Sequence, residues 1–267
     1  MKLLAISDLH VGSAANRAAL EQLDHHLEDW LILGGDLGET LEHVGWVLDL
    51  CVPRFARVIW VPGNHELWST RGSRLHGVAK YDALVTLCRS RGVLTPEDDY
   101  AVWPGAGPPT VIAPLFVLYD YSFAPDGIPP ERAVQWAMDS GVLCSDEAVL
   151  RPDPYPSRIA WCHDRIAITE ARLARLPSTV GTVLINHFPL RRELARLPRI
   201  PRFAIWCGTR RTEDWHRRFR ARVVVSGHLH IRGTTMLDDV TFHEVSLGYP
   251  GDWDPARGID GYLRTIL

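Results

Sequence analysis

Asp8 and His10 stand two residues apart, and so do His228 and His230. In an extended segment, side chains at i and i+2 point to the same side, so either pair could share one cation. Paired imidazoles directly after Gly227 suit a transition metal better than magnesium or calcium. Asp36 follows Gly34-Gly35, where the lack of side chains lets backbone and carboxylate approach a site closely. Asn64, His65 and Glu66 follow Pro62-Gly63, a sharp turn that presents an amide, an imidazole and a carboxylate together. His187 follows Asn186. Taken singly, each cluster has a bland alternative: a turn aspartate, a surface histidine, a satisfied core histidine. Two Asp, one Asn and four His gathered in this way are hard to explain by loop chemistry alone, and the joint reading is a metal site.

The elements that must position these residues are legible from the apolar runs before them. Residues 3–6 precede Asp8, 31–33 precede Asp36, 58–61 precede Asn64, 183–185 precede His187 and 223–225 precede His228. Ligand sites collect at strand ends in open α/β sheets. Strands are expected at 2–7, 30–33, 57–61, 110–119, 182–185 and 222–225. Helices are expected over 18–27, where Leu20, Leu23 and Leu27 recur at helical spacing, and near 41–50, 131–138, 164–176 and 213–220. Strands alternating with helices imply β-α-β units and a mainly parallel sheet. The last runs, 233–237, 240–245 and 262–266, read as antiparallel strands, with a turn at Asp238-Asp239. Prolines and glycines crowd the stretch between 98 and 156, marking loops. About 120–160 is expected to be an insertion or cap within a single domain. The fold class is α/β, with two facing sheets and helices outside.

Composition narrows the field. A chain of 267 residues that is 46% apolar can bury a sizeable core. A net charge of −3 argues against a surface shaped throughout for nucleic acid or anionic lipid, so anion recognition must be local. No apolar stretch approaches the roughly 20 residues that span a bilayer, and the N-terminus lacks a signal-peptide pattern, so a cytoplasmic protein is expected. The five cysteines are scattered, without a C-x-x-C pair, and are expected to pack as small apolar groups.

The ordered set D-x-H (Asp8, His10), G-D (Asp36), G-N-H-E (Asn64, His65, Glu66), a lone His187 and G-H-x-H (His228, His230) resembles the calcineurin-like metallophosphoesterase superfamily. The resemblance covers the two ends of the chain, whereas about 67–180 matches only in general layout. It implies a four-layer α-β-β-α sandwich with two metals over the sheet edges. It also implies that Asp8, His10, Asp36 and His230 hold one metal, with Asp36 bridging to a second held by Asn64, His187 and His228. His65 would then be the histidine that is not a ligand and acts as donor or general acid. Glu66 departs from the Asp common at its position, which leaves its role open. Manganese or iron is the expected metal, with zinc or nickel also compatible with these ligands. Such a pair of cations would activate a bridging hydroxide for attack on phosphorus.

The leading expectation is hydrolysis of a phosphate mono- or diester of a small molecule or nucleotide. A nuclease is the nearest rival, because eleven arginines lie between Arg191 and Arg222 against Glu193, Glu213 and Asp214. A catalytically silent scaffold is a third class, which the complete ligand set disfavours. Arg191 and Arg192, four and five residues past His187, are expected to grip phosphate. Tyr119 and Tyr121 are expected to offer a stacking face.

Overall fold

The apolar runs become strands whose two faces are both buried, which is why they read as continuous rather than alternating. The computed structural model describes residues 1–69 and 72–267. Its elements are β1 (Leu3–Ile6), α1 (Ala14–Leu20), β2 (His26–Leu33), α2 (Leu41–Cys51), β3 (Phe55–Trp60), α3 (Asn64–Leu67), α4 (Gly77–Arg89), β4 (Ala101–Val102) and β5 (Thr110–Pro114). There follow α5 (Pro130–Met138), α6 (Asp146–Val149), α7 (Arg158–Leu173), β6 (Gly181–Ile185), α8 (Trp215–Arg218), β7 (Ala221–Ser226), β8 (Gly233–Leu237), β9 (Val240–Glu244) and β10 (Arg264–Thr265).

The strands form two sheets, one of order β10-β1-β2-β3 and one of order β4-β5-β6-β7-β9-β8. In the first, β1, β2 and β3 run parallel; in the second, β5, β6, β7 and β9 do. Side-chain alternation divides each strand between two cores. Leu3, Ala5, Ile32, Ile59, Val183, Ile185, Val223 and Val225 fill the layer between the sheets. Leu4, Ile6, Leu31, Leu33, Trp60, Leu184 and Val224 face outward into the core shared with the helices. This is an α-β-β-α sandwich. Each fully buried Leu, Ile or Val contributes about 1.5–3 kcal/mol relative to exposure, so both layers are strongly held.

Several sequence-based boundaries shift. The helix expected over 18–27 lies at Ala14–Leu20, and Leu27 belongs to the polar, largely exposed start of β2. Its spacing from Leu20 and Leu23 fits a helix by coincidence. The strand expected over 110–119 leaves the sheet at Pro114, and residues 115–119 continue as buried, irregular chain. α7 begins at Arg158, where the Ser157 side chain accepts from the Ala160 amide, six residues before the expected start. α4 falls where only loop is expected, although Tyr81, Leu84, Val85 and Cys88 carry the helical period. The hairpin β8-β9 turns at Asp238-Asp239, both with positive φ, as a tight two-residue turn requires. β10 pairs antiparallel with β1 in the other sheet, and β9 also runs parallel to β7. All five cysteines are buried. Among the described residues, no helix is long and apolar enough to cross a membrane.

Candidate metal centre

All seven expected ligands sit just beyond the C-terminal ends of strands: Asp8 and His10 after β1, Asp36 after β2, Asn64 after β3, His187 after β6, His228 and His230 after β7. The first four come from one sheet and the last three from the other, so the site bridges the sandwich at one edge. Asp8, His10, Asp36, His228 and His230 all have positive φ. Non-glycine residues rarely adopt that conformation, and its concentration here marks a site the surrounding fold holds under strain. Two glycines make the close approach possible. A Cβ on Gly63 would lie 2.1 Å from Asp36 Oδ1, and one on Gly227 would lie 2.3 Å from Asp8 Oδ2.

The side chains converge. Asp8, His10 and His230 bring one ligand atom each to within 4.8 Å of one another, and so do Asp36, His187 and His228. His230 Nε2 lies 3.2 Å from Asp8 Oδ1 and 3.1 Å from His10 Nε2, while His187 Nε2 lies 3.4 Å from Asp36 Oδ2. Asn64 Oδ1, His187 Nε2 and His228 Nε2 are buried without a hydrogen-bond partner in the protein. Buried lone pairs left unmatched are costly, and a cation is the species that satisfies several at once. On that test Asp36, Asn64, His187 and His228 fit one metal ion, and Asp8, His10 and His230 converge beside them with the donors for a second.

A second set of contacts fixes the orientation of the first. His187 Nδ1 donates to the Gly34 carbonyl at 2.9 Å, which leaves Nε2 facing Asp36, where a metal ion would take the place of its proton. His230 Nδ1 lies 3.2 Å from Asp252 Oδ2, which turns its Nε2 toward Asp8 in the same way. Asp8 Oδ2 accepts from the hydroxyls of Ser7 and Ser246 at 2.5 and 2.8 Å. Asn64 Nδ2 donates to Asp146 Oδ1 at 3.0 Å, which aims Oδ1 of the amide into the site. Glu66 braces the loops: its carboxylate accepts from the backbone amides of Asp36, Leu37 and Gly63, tying the loop after β2 to the loop after β3.

Burial works against ionisation of Asp8 and Asp36, but the neighbouring histidines prevail and hold both carboxyls below the usual range. In return, despite burial, Asp36 and Asp8 raise His187 to about 10, and Asp8 raises His230 to about 9. Burial lowers His10 to about 4 and His228 to about 3. Without metal, the site balances its two carboxylates with two imidazolium groups and keeps the other two imidazoles neutral.

His65 stacks on Trp68, with ring centroids 3.7 Å apart, and its Nδ1 lies 3.5 Å from Glu39 Oε1. Burial would lower its pKa, yet Asp36 and Glu39 outweigh burial and raise it. Its Nε2 lies 3.4 Å from the Tyr249 hydroxyl and 3.8 Å from Asp36 Oδ2. Tyr249 in turn stacks on His10, centroids 4.3 Å apart and planes 20° apart. A cavity of about 720 Å³ opens over this floor of Asp36, Asn64, His65, His228 and His230, with Leu143, Leu197, Ile200, Phe203 and Ile231 on its walls.

The residues expected to bind substrate are elsewhere. Arg191 is bound by Glu193 and Asp238 and does not line the cavity. Arg192 lines a neighbouring cavity instead. Tyr119 is fully buried and donates its hydroxyl to Asp146; Tyr121 is buried against Glu147 and Arg158. Neither ring is available for stacking. Asp146, Tyr249, Asp252 and Glu39 are not found from sequence, since none belongs to a motif.

Comparison with known proteins agrees with this geometry. The family profile described as calcineurin-like phosphoesterase matches residues 1–232. The chain is 49% identical over 269 aligned residues to the [acyl-carrier-protein] phosphodiesterase PptH of Mycobacterium tuberculosis, covering 99% of this chain and 83% of that protein. The crystal structure of the phosphopantetheinyl hydrolase PptH from the same organism superposes with a TM-score of 0.95 at 48% identity, covering 100% of this chain and 95% of that one.

Proposed function

Because the chain belongs to the calcineurin-like phosphoesterases, a family of metal-dependent phosphoester hydrolases, we propose that it cleaves a phosphodiester joining a pantetheine arm to a carrier protein. The observation that carries this reading is the 49% identity, over nearly the whole chain, to a phosphodiesterase named for the acyl carrier protein. The cavity supports it. Its floor is polar and its walls are largely apolar, which suits a phosphate attached to an extended, uncharged arm of methylenes and amides. A free small molecule or nucleotide, the expectation from sequence, gives way to a phosphate group borne by a protein.

On this reading Asp8, His10, Asp36 and His230 hold one metal and Asp36, Asn64, His187 and His228 the other, manganese or iron being the first choice for such donors. The ions, when bound, lower the pKa of water and neutralise charge building on the phosphoryl group. The chain's own residues do the rest. His65 carries a proton at Nε2 toward the cavity, with Glu39 behind Nδ1 favouring the charged ring, so it donates to the oxygen that leaves phosphorus. Trp68 and Tyr249 limit its rotation. The apolar walls exclude water from the arm.

The test is intact-mass analysis of a phosphopantetheinylated carrier protein incubated with the manganese-loaded enzyme. Cleavage adds one water across a P–O bond, leaving either unmodified carrier protein and phosphopantetheine or phosphorylated carrier protein and pantetheine. An unchanged carrier mass, under conditions where bis-p-nitrophenyl phosphate is hydrolysed, would overturn the assignment.

A further inference from the structure

Residues 192–203 form a ridge between two cavities. Leu197 and Pro198 line both the cavity over the metal centre and a second one of about 680 Å³. Arg199 lies on the first side, Arg192 and Arg196 on the second, so arginines recur every three or four residues along the ridge. Among the described residues, none of these three side chains has a carboxylate partner. Other arginines of the 191–222 stretch do: Arg191 binds Glu193 and Asp238, Arg210 binds Asp126, and Arg218 binds Glu170. The one carboxylate on the ridge, Glu193, is held by both Nε and Nη2 of Arg191. Arg202 is held by the Trp136 carbonyl and ring, which leaves its charge uncompensated.

Charge is only half of the surface. Ile200 is 43% exposed, and across the cavity mouth Leu143 and Ile231 are 60% and 47% exposed. Unpaired guanidinium groups beside exposed aliphatic side chains are the composition of a protein interface, where arginine is enriched at the points that hold. A nucleic acid track would call for a longer row of cations; here few are free, and apolar side chains stand between them.

Resting on the functional reading above, we propose that the 192–203 ridge docks an acidic face of the protein that bears the phosphodiester, holding it so that its arm enters the metal cavity beside Leu197 and Ile200. The ridge thus sets the preference for a protein-borne diester over a free one, while the metal centre acts on either.

The experiment compares the manganese-loaded full chain with the double variant Arg192→Glu/Arg196→Glu, neither position lining the metal cavity. Two substrates are used, bis-p-nitrophenyl phosphate and a phosphopantetheinylated carrier protein. The variant should lose about tenfold or more in kcat/KM on the carrier protein, mostly through KM, since rim charges act chiefly on encounter. The wild-type value on the carrier protein should fall steeply with salt, and both enzymes should hydrolyse the small diester within about twofold. Arg192→Lys/Arg196→Lys should recover most of the loss. If the wild type cleaves the carrier protein and the Glu variant does so equally well, the docking surface is wrong and the function stands. Equal losses on both substrates would place the arginines in the structure of the site, and would also overturn the proposal. A wild type that binds single-stranded DNA more tightly than the carrier protein, with the same variant weakened, would transfer the ridge to nucleic acid. A wild type inert on the carrier protein removes the functional reading and the dock together.

Discussion

Asn64 and Asp146, eighty-two residues apart in the chain, are joined by a 3.0 Å hydrogen bond from the amide Nδ2 to the carboxylate. Asp146 is fully buried and also accepts from Trp68 Nε1 at 2.6 Å and the Tyr119 hydroxyl at 2.9 Å. Burial pushes its carboxyl above the ordinary value, although all three donors oppose this. One side chain from the stretch after β5 thus sets which end of the Asn64 amide faces the metals.

Asp146→Ala should therefore act on metal binding as well as on folding. It frees the Asn64 amide to turn and strands two buried donors, on Asn64 and Tyr119, each costing about 1–3 kcal/mol unless water reaches it, besides the half-buried Trp68 Nε1. Loss of an outer partner of a metal ligand typically weakens affinity by about 10–100-fold. Elemental analysis after dialysis should find the ion on the Asn64 side depleted first, with a lowered melting temperature. Two retained metal equivalents with undiminished affinity would show that Asn64 needs no such support.

His65→Ala should separate chemistry from metal binding. The ring is assigned no ligand role, so metal content should stay at the wild-type level while turnover falls by about 10² to 10⁴-fold, the range for a general acid. The loss should shrink for esters with good leaving groups, which need no proton. Metal loss together with equal effects on all substrates would make His65 a structural or ligating residue, which its 3.8 Å separation from Asp36 Oδ2 makes worth testing.

Removal of metal should leave a protein whose stability depends on pH in a stated direction. His187 and His230 are raised above the ordinary 6.5 to about 10 and about 9 by the buried carboxylates. A raised histidine stabilises the fold fully below its unfolded pKa and loses that contribution as pH climbs through the folded value. The chelated protein should thus melt progressively lower between pH 6.5 and about pH 10, and by a smaller margin in His230→Asn. Metal uptake must displace those same protons, so affinity should rise with pH, and calorimetry in two buffers of different ionisation enthalpy should register proton release. A melting curve indifferent to pH and no released proton would refute the charge balance described.

Much of the site is legible in the sequence because each expected ligand lies within a few residues of a buried strand, and the strand fixes where it ends up. Residues without that tether are not. Asp146, at the start of the short helix α6, and Tyr249 and Asp252, on a loop, reach the site by packing over long sequence separations. Arg191 illustrates the converse: it is four residues past His187, but the chain buries Leu190 and turns Arg191 toward Asp238 on the β8-β9 hairpin. Tyr119 and Tyr121 depart from expectation because the chain after Pro114 runs inside the helical layer rather than along the sheet. In the fold, α4 is missed because the sequence around it is dense in glycine, proline and polar residues, although its own apolar period is regular.

Tyr249 gives the last test, since it lies beyond the residues 1–232 matched by the family profile and yet packs against the histidines of the site. Its ring covers His10 and its hydroxyl reaches His65 Nε2 at 3.4 Å, while its backbone amide donates to Asp252 Oδ2, the same oxygen that meets His230 Nδ1. Burial and the nearby carboxylates raise the phenol above its ordinary value, so it stays protonated and can hydrogen-bond at any working pH. Tyr249→Phe keeps the stack and removes only the hydroxyl. A hydrogen bond to a charged partner contributes about 1.5–3 kcal/mol, so kcat/KM should drop by about 10–100-fold with metal content unchanged. Tyr249→Ala also uncovers His10 and should lower metal affinity in addition. If Tyr249→Phe matches the wild type in kcat and KM on both the small diester and the carrier protein, the hydroxyl has no part in turnover. The residue would then serve only as an aromatic cover, which the alanine variant alone would reveal.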